Sequence, residues 1–219
     1  MSDISFPLYL SLKVSILATV IAFVIGVLLA ALFAFRKNGW TRLLSLITTL
    51  PLILPPTVLG YYILVTLGRN SWLGQTYEQI VGQPLVFTWQ AAVIAASIAA
   101  LPLLVRPIQA SFESIDEEVI EAAKIDGAAR RELFVHVILP LSYKGIIGGI
   151  VMGFARAMGE FGATLMVAGN IPGRTQTLSI AIYDAVQANR MEDAHLMVLI
   201  LSIITISILL VFEFVLRKK

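Results

Sequence analysis

Residues 16–35 read ILATVIAFVIGVLLAALFAF, a stretch of twenty residues without a charged side chain. About 20 helical residues cross the hydrocarbon core of a bilayer, which is about 30 Å thick. A helix also satisfies its own backbone hydrogen bonds, which lipid cannot do. The stretch therefore predicts a transmembrane helix, and we expect it to begin earlier in the chain, near Leu8.

Four further stretches are long and apolar enough to cross a membrane. They are Leu43–Leu67, Leu85–Val105, Gly145–Val167 and Leu196–Leu216. The sequence therefore predicts an all-α, polytopic membrane protein with about five transmembrane helices. We expect these helices to form a single transmembrane domain over residues 1–219.

The composition agrees with a membrane protein and excludes several other classes. Of 219 residues, 58% are hydrophobic and 14% are charged, whereas an average soluble domain has about 25% charged residues. A globule of this size has too little interior to bury so much apolar surface. A soluble enzyme, a disordered regulator and a nucleic-acid-binding protein are therefore excluded. The bilayer becomes the expected environment.

Several chemistries lack their usual residues. The chain has no cysteine, and its two histidines are far apart, so we expect no metal site and no cofactor. No phosphate-binding G-x-x-x-x-G-K-[ST] loop occurs in the chain. We therefore expect the protein not to be an enzyme. If its task consumes ATP, another subunit must hydrolyse it.

The loops divide into a basic side and a side with few cations, and Lys and Arg are enriched in cytoplasmic loops. Three segments, after span one, between spans three and four, and at the C-terminus, together hold eleven basic residues. The other loops hold three, Arg69, Arg174 and Arg190. This count predicts an external N-terminus, a cytoplasmic C-terminus and a multi-pass protein of the bacterial inner membrane.

The long inner segment, residues 112–140, has the pattern of a helix–turn–helix. Ser114 and Glu117 fit a capping box at the start of the first helix. Gly127 is placed to end that helix, and a second helix is expected from Ala128 to about Val135. The segment could lie on lipid headgroups as an amphipathic linker, or it could dock a partner. Its acidic cluster counts against the lipid surface.

The same segment carries a recognisable sequence motif. Glu121-Ala122-Ala123, Gly127 and, after Val137, Leu139-Pro140 resemble the EAA loop of importer-type ABC transporter permeases, which have isoleucine where this chain has Val137. The resemblance implies that a cytoplasmic ATPase binds this segment, the coupling segment. The residues implied for that contact are Glu121, Ala122, Ala123, Asp126, Gly127, Leu139 and Pro140.

Span two contains Pro51, Pro55, Pro56 and Gly60. Each proline removes a backbone donor and bends or breaks a helix. The pattern therefore predicts a discontinuous helix. Such breaks often lie beside a transport pathway, although a simple packing kink is the alternative.

Span four combines small residues with two charges. Gly145, Gly149 and Gly153 lie on one helix face and predict close packing against another helix. Arg156 and Glu160, four residues apart, lie near the middle of the span, where an unpaired charge costs about 2.5–3.5 kcal/mol or more. They either form an internal ion pair that locks the span or line and gate a translocation route.

Three blocks point to one branch of these permeases. LPPTVLGY (54–61), FARAMGEFGAT (154–164) and GNIPG (169–173) resemble molybdate permeases, with sulfate and tungstate permeases similar. The resemblance implies a type I importer fold, a homodimer, two ATPase copies and an external oxyanion-binding protein. It also implies that spans two and four flank the pathway and its gate. The residues implied there are Pro55, Thr57, Gly60, Arg156, Glu160 and Phe161.

The outer segment, residues 169–195, predicts a short helix over Leu178–Ala188. It could form part of the outer gate, receive the binding protein or be a solvated connector. The overall hypothesis is a permease subunit that moves molybdate, or a similar tetrahedral oxyanion, inwards by alternating access. Alternatives are a sulfate, thiosulfate or tungstate permease and an ATP-independent secondary anion transporter.

Overall fold

The computed structural model describes residues 4–217, with side chains described as far as residue 214. In chain order the helices of this part of the chain are α1 (Ser5–Phe35), α2 (Gly39–Ile53), α3 (Pro56–Leu67), α4 (Trp72–Val81), α5 (Trp89–Glu113), α6 (Glu117–Ile125), α7 (Arg130–Leu141), α8 (Tyr143–Met158), α9 (Gly162–Ala168), α10 (Leu178–Gln187) and α11 (Met191–Arg217).

The first and third predicted spans, α1 and α5, pack side by side in the same direction. Near one end, the Lys13 ammonium lies 3.7 Å from the centre of the Trp89 ring system. At the other end, the rings of Phe35 and Phe112 stack with centroids 6.1 Å apart. Because two successive parallel helices need a return crossing between them, α2 and α3 must together lead the chain back across.

That return crossing is a broken helix. The axes of α2 and α3 differ by 117° at a break between Ile53 and Pro56. Pro55 precedes the first turn of α3, and Pro56 occupies that turn, where its missing N–H costs no hydrogen bond. The predicted discontinuity in span two is confirmed.

The fourth span packs closely and antiparallel against α5. A Cβ added to Gly145 would collide with Ser111, near the end of α5. A Cβ on Gly149 would lie 2.7 Å from the carbonyl oxygen of Leu104, and one on Gly153 would lie 3.2 Å from that leucine's side chain. The predicted role of these glycines in close helix packing is confirmed.

The last helix, α11, runs parallel to α1. Ala194, near its start, belongs to an apolar cluster with Ile4 and Leu8 at the start of α1. Near its other end, Phe212 lies 3.4 Å from the position that a Cβ of Gly148 would occupy. The described helices therefore form five crossings in alternating directions: α1, α2 with α3, α5, α8 with α9, and α11. Helices α1, α5 and α11 end on the same side.

This geometry confirms the predicted fold. Within residues 4–217, three helices are long and apolar enough to cross a membrane, or up to five spans if each bent helix pair counts as one. Helix α1 begins at Ser5 rather than near Leu8. The basic loops after α1 and α5 lie on one side, as the charge count requires. Lys218 and Lys219, which also entered that count, lie outside the described residues.

Candidate translocation site and coupling surface

The two broken spans meet through their second halves. A Cβ on Gly60 of α3 would lie 2.7 Å from the Met166 Cβ and 2.8 Å from the Ala163 Cα of α9. In the same contact, a Cβ on Gly162 would lie 2.8 Å from the Pro56 Cβ. Only glycine leaves room for backbones this close, so α3 and α9 form one tightly fitted unit.

Span four is broken beside this unit, which corrects an expectation from the sequence. Helix α8 ends at Met158, and α9 begins at Gly162, so Arg156 and Glu160 do not lie together on one continuous helix. Glu160 lies at the break, where its Oε1 accepts a hydrogen bond of 2.7 Å from the Ala163 N–H. The carboxylate therefore satisfies a free donor at the N-terminus of α9.

The expected ion pair of Arg156 and Glu160 is present. Arg156 Nη1 lies 2.6 Å from Glu160 Oε2, and the two side chains are 23% and 1% exposed, respectively. A carboxylate buried this deeply needs a partner charge, because an unpaired buried charge is strongly destabilising. The pair is therefore locally neutral, with the arginine on its more accessible side.

The remaining pathway candidates lie around the same break. The Phe161 ring lies 5.2 Å from the Tyr183 ring of α10, which links the break to the predicted outer helix. Pro55 and Thr57 are exposed at the start of α3, and the Thr57 backbone nitrogen lies 3.4 Å from the position of a Gly162 Cβ. All six pathway candidates therefore lie around the α8–α9 break and its contact with α3. Gly162 and Tyr183, which also contact this region, were not among the predicted pathway residues, although Gly162 lies within a motif block.

The coupling segment begins differently from the prediction. The Ser114 hydroxyl donates to the Ser111 carbonyl at 2.9 Å, and no side chain caps the start of α6. The predicted capping box is therefore wrong at Ser114, because that residue ends α5 instead. A carboxylate caps the second helix: the Ala129 N–H donates to Glu132 Oε2 at 2.9 Å.

The second helix of the segment is also longer than expected. Helix α7 begins at Arg130 and continues to Leu141, so the predicted end near Val135 is wrong. A π-helical turn over Leu133–Ile138 connects its α-helical ends. Gly127 has φ 88°, and its predicted left-handed conformation after α6 is confirmed.

The EAA residues lie on an accessible surface. Glu121, Ala122, Asp126, Gly127 and Pro140 are exposed, whereas Ala123 and Leu139 are partly buried. Apolar side chains beneath this surface attach it to the membrane domain. They pack with the ends of α1 and α5 in one apolar cluster, and they are Ile115, Leu133, Phe134 and Leu139. The surface is therefore in direct contact with the ends of two transmembrane helices.

These features agree with comparisons with known proteins. Residues 16–218 match the family described as "Binding-protein-dependent transport system inner membrane component". This chain belongs to that family. Among its relatives, YvgM of Bacillus subtilis (strain 168) is 41% identical over 218 residues, which cover 100% of this chain and 95% of YvgM.

Other relatives have names that state their substrate. The molybdenum transport system permease proteins ModB of Haemophilus influenzae and Escherichia coli K12 are each 39% identical to this chain. The alignments cover 90% and 92% of this chain and 88% and 89% of the two relatives, respectively. The predicted resemblance to molybdate permeases is confirmed.

Solved structures show the same fold. The chain is similar to a protein in the inward-facing MetNI methionine ABC transporter, with a TM-score of 0.73, 19% identity and coverage of 96% of this chain and 93% of the other. A protein of a bacterial alginate ABC transporter gives a TM-score of 0.77 at 18% identity, covering 100% and 80% of the chains. At these identities the likeness concerns the fold alone.

Proposed function

We propose that this inner-membrane protein is the permease subunit of an ATP-driven importer for molybdate or a similar tetrahedral oxyanion. The observation that carries the proposal is the exposed EAA surface, anchored to the ends of α1 and α5 in a chain 39% identical to two ModB permeases. The chain has no nucleotide-binding loop of its own, so separate ATPase subunits supply the hydrolysis.

The partners follow from the surfaces that one chain leaves uncovered. An ATPase binds the coupling segment on the side with eleven basic residues, which is the cytoplasmic side. A second copy of this chain covers the exposed apolar face of α2 and α3, which includes Leu50, Ile53, Tyr61 and Val65. The pathway then runs between the two copies, and each copy carries its own ATPase. An external binding protein delivers the anion to the opposite side.

The broken spans supply the gate. Because Gly60 and Gly162 bring α3 and α9 into backbone contact, the two half-helices move as one unit. The Arg156–Glu160 pair stands at the base of that unit and carries no net charge. A neutral pair does not trap a dianion, which suits a pathway that must release its substrate. We therefore assign Pro55, Thr57, Gly60, Arg156, Glu160 and Phe161 to the gate region.

Coupled transport tests this function. Purified chain, ATPase and binding protein are reconstituted into vesicles, and uptake of labelled molybdate is measured with ATP and with a non-hydrolysable analogue. We expect uptake only with ATP, and tungstate should compete better than sulfate. Uptake that persists without hydrolysis would show a secondary transporter. Stronger competition by sulfate would reassign the substrate.

The docking role of the coupling segment has its own test. Gly127→Pro cannot adopt the observed φ of 88°, since proline fixes φ near −65°. We expect this variant to insert into the membrane normally but to lose stimulation of the ATPase. Gly82→Pro, at the end of α4 on the opposite side, disrupts a similar turn with φ 78° and serves as the control. Normal coupled transport by Gly127→Pro would contradict the docking role.

A further inference from the structure

The turn between α1 and α2 and the first residues of α2 form an elbow, residues 36–42, on the same side as the coupling segment. The Asn38 side chain accepts a hydrogen bond of 2.8 Å from the Thr41 N–H. The Thr41 hydroxyl in turn donates to the Arg36 carbonyl at 2.7 Å. These bonds fix the backbone of the turn that carries Arg36 and Lys37, at the end of α1.

A cavity of about 460 Å³ opens between this elbow and the end of α5. Arg36, Lys37 and Arg42 line it on one side, with Gln109 and Glu113 on the other. Among residues 4–217, none of these three cations lies in an ion pair. The cavity thus gathers three cationic side chains against a single carboxylate.

The opposite wall of the cavity is held by a bond between its two polar side chains. The Gln109 amide nitrogen donates to Glu113 Oε1 at 3.0 Å. Gln109 Oε1 is buried and has no donor within the described part of the chain. Because this oxygen is buried, a ligand in the cavity does not reach it, and the polar contacts that the cavity offers come from its three cations.

An apolar groove of about 350 Å³ adjoins this cavity and shares Arg36 and Thr41 with it. Leu32, Leu43, Leu44 and Ile47 line the groove. Trp40, which also lines it, is 81% exposed, as a side chain at the membrane–water interface is expected to be. A cationic pocket therefore lies next to an apolar groove, with Arg36 and Thr41 between them.

We propose that the elbow binds an anionic phospholipid of the cytoplasmic leaflet, such as phosphatidylglycerol. The three cations bind its phosphate, and an acyl chain lies in the groove. Basic pockets at the cytoplasmic ends of transmembrane helices bind such headgroups. The inference is independent of which substrate the protein transports.

Two features favour a lipid over the transported oxyanion. The groove offers apolar surface that a small dianion cannot use. Glu113 opposes a dianion more strongly than a singly charged phosphodiester. The elbow's cations would favour a cytoplasmic location even without a bound lipid. A test must therefore measure binding rather than topology.

Native mass spectrometry of the full-length chain in detergent provides that measurement. The wild-type protein is titrated with phosphatidylglycerol and, separately, with phosphatidylcholine. We expect tight binding of one phosphatidylglycerol per chain and only weak binding of phosphatidylcholine. Equal binding of the two lipids would overturn the proposal without any substitution.

Paired variants locate the binding. Arg36→Gln with Arg42→Gln should weaken phosphatidylglycerol binding at least about tenfold, because each nearby cation contributes roughly a factor of five. The control double variant, Arg130→Gln with Arg131→Gln, removes equal charge from the same side at residues that do not line the cavity. It should change binding less than about twofold. Unchanged binding in the first double variant would overturn the assignment.

A substitution in the groove distinguishes the lipid from the oxyanion. Leu44→Gln keeps every elbow cation but makes the groove polar, so it should weaken phosphatidylglycerol binding. Leu209→Gln, at an exposed leucine of α11 outside the groove, should not. Displacement of the lipid by millimolar molybdate, with no effect of Leu44→Gln, would show that the cavity belongs to the oxyanion instead.

Discussion

Removing Arg156 should destabilise the protein more than removing the charge of Glu160. Arg156→Met leaves a carboxylate that is 1% exposed without its partner. Glu160→Gln removes the negative charge but keeps a side-chain oxygen for the Ala163 N–H. The arginine left behind is 23% exposed, so water can solvate it in part. The two single substitutions should therefore lower the free energy of unfolding by unequal amounts.

The expected costs follow from this difference in burial. Loss of one partner from a buried pair costs about 3–5 kcal/mol, which we expect for Arg156→Met. Glu160→Gln should cost about 1.5–3 kcal/mol, the range for hydrogen bonds to charged groups. The double variant leaves no buried charge, and replacing a whole buried pair is often close to neutral. It should therefore be more stable than Arg156→Met alone.

Unfolding in mixed detergent–SDS micelles, followed by tryptophan fluorescence, measures these free energies. The control is Arg190→Gln, which breaks a 2.8 Å ion pair with Asp184 whose side chains are 42% and 38% exposed. We expect it to cost less than about 1 kcal/mol. Costs for Arg156→Met and Glu160→Gln that add within about 0.5 kcal/mol would refute the coupling.

Three further substitutions test the α3–α9 packing, a buried hydrogen bond and the coupling segment. Gly60→Ala should lower the free energy of unfolding by about 1–3 kcal/mol and reduce uptake. Gly39→Ala is the control and should be neutral, because nothing lies within 4 Å of the added Cβ. Equal effects of the two variants would contradict the α3–α9 contact. Ser11→Ala, which removes the acceptor for a buried N–H at the start of α10, should cost about 1–3 kcal/mol. Ser97→Ala, where the hydroxyl bonds only its own helix, should cost less in the same titration. Gly127→Ala should lower ATPase stimulation partially, because a left-handed alanine costs about 1–2 kcal/mol; full stimulation would argue against this.

Much of the fold could be read from local patterns. The uncharged run at 16–35 predicted α1, and the prolines of span two predicted the break before α3. The glycine spacing of span four predicted its packing face. These predictions succeed because lipid forces each segment to satisfy its own backbone, so that local composition decides local structure.

The errors occurred where distant contacts decide the structure. Ser114 and Glu117 match a capping box, yet α5 continues to Glu113 and takes Ser114 as its own end. Likewise, the sequence of span four contains no proline near Glu160, and the break there was not predicted. It forms where α9 packs against α3 and Glu160 caps the new helix. Periodicity along one segment carries no information about such contacts.

By itself the sequence determined that this chain is a membrane protein and that it crosses the membrane about five times. It also determined that one side of the protein carries a motif for binding a partner. Those properties depend on hydrophobic length, charge and residue type, which are local quantities. Only the tertiary structure decided that α1 and α5 are parallel, that the two breaks meet, and that three cations surround one cavity. These features arise from close packing between residues far apart in the chain, which no single segment specifies.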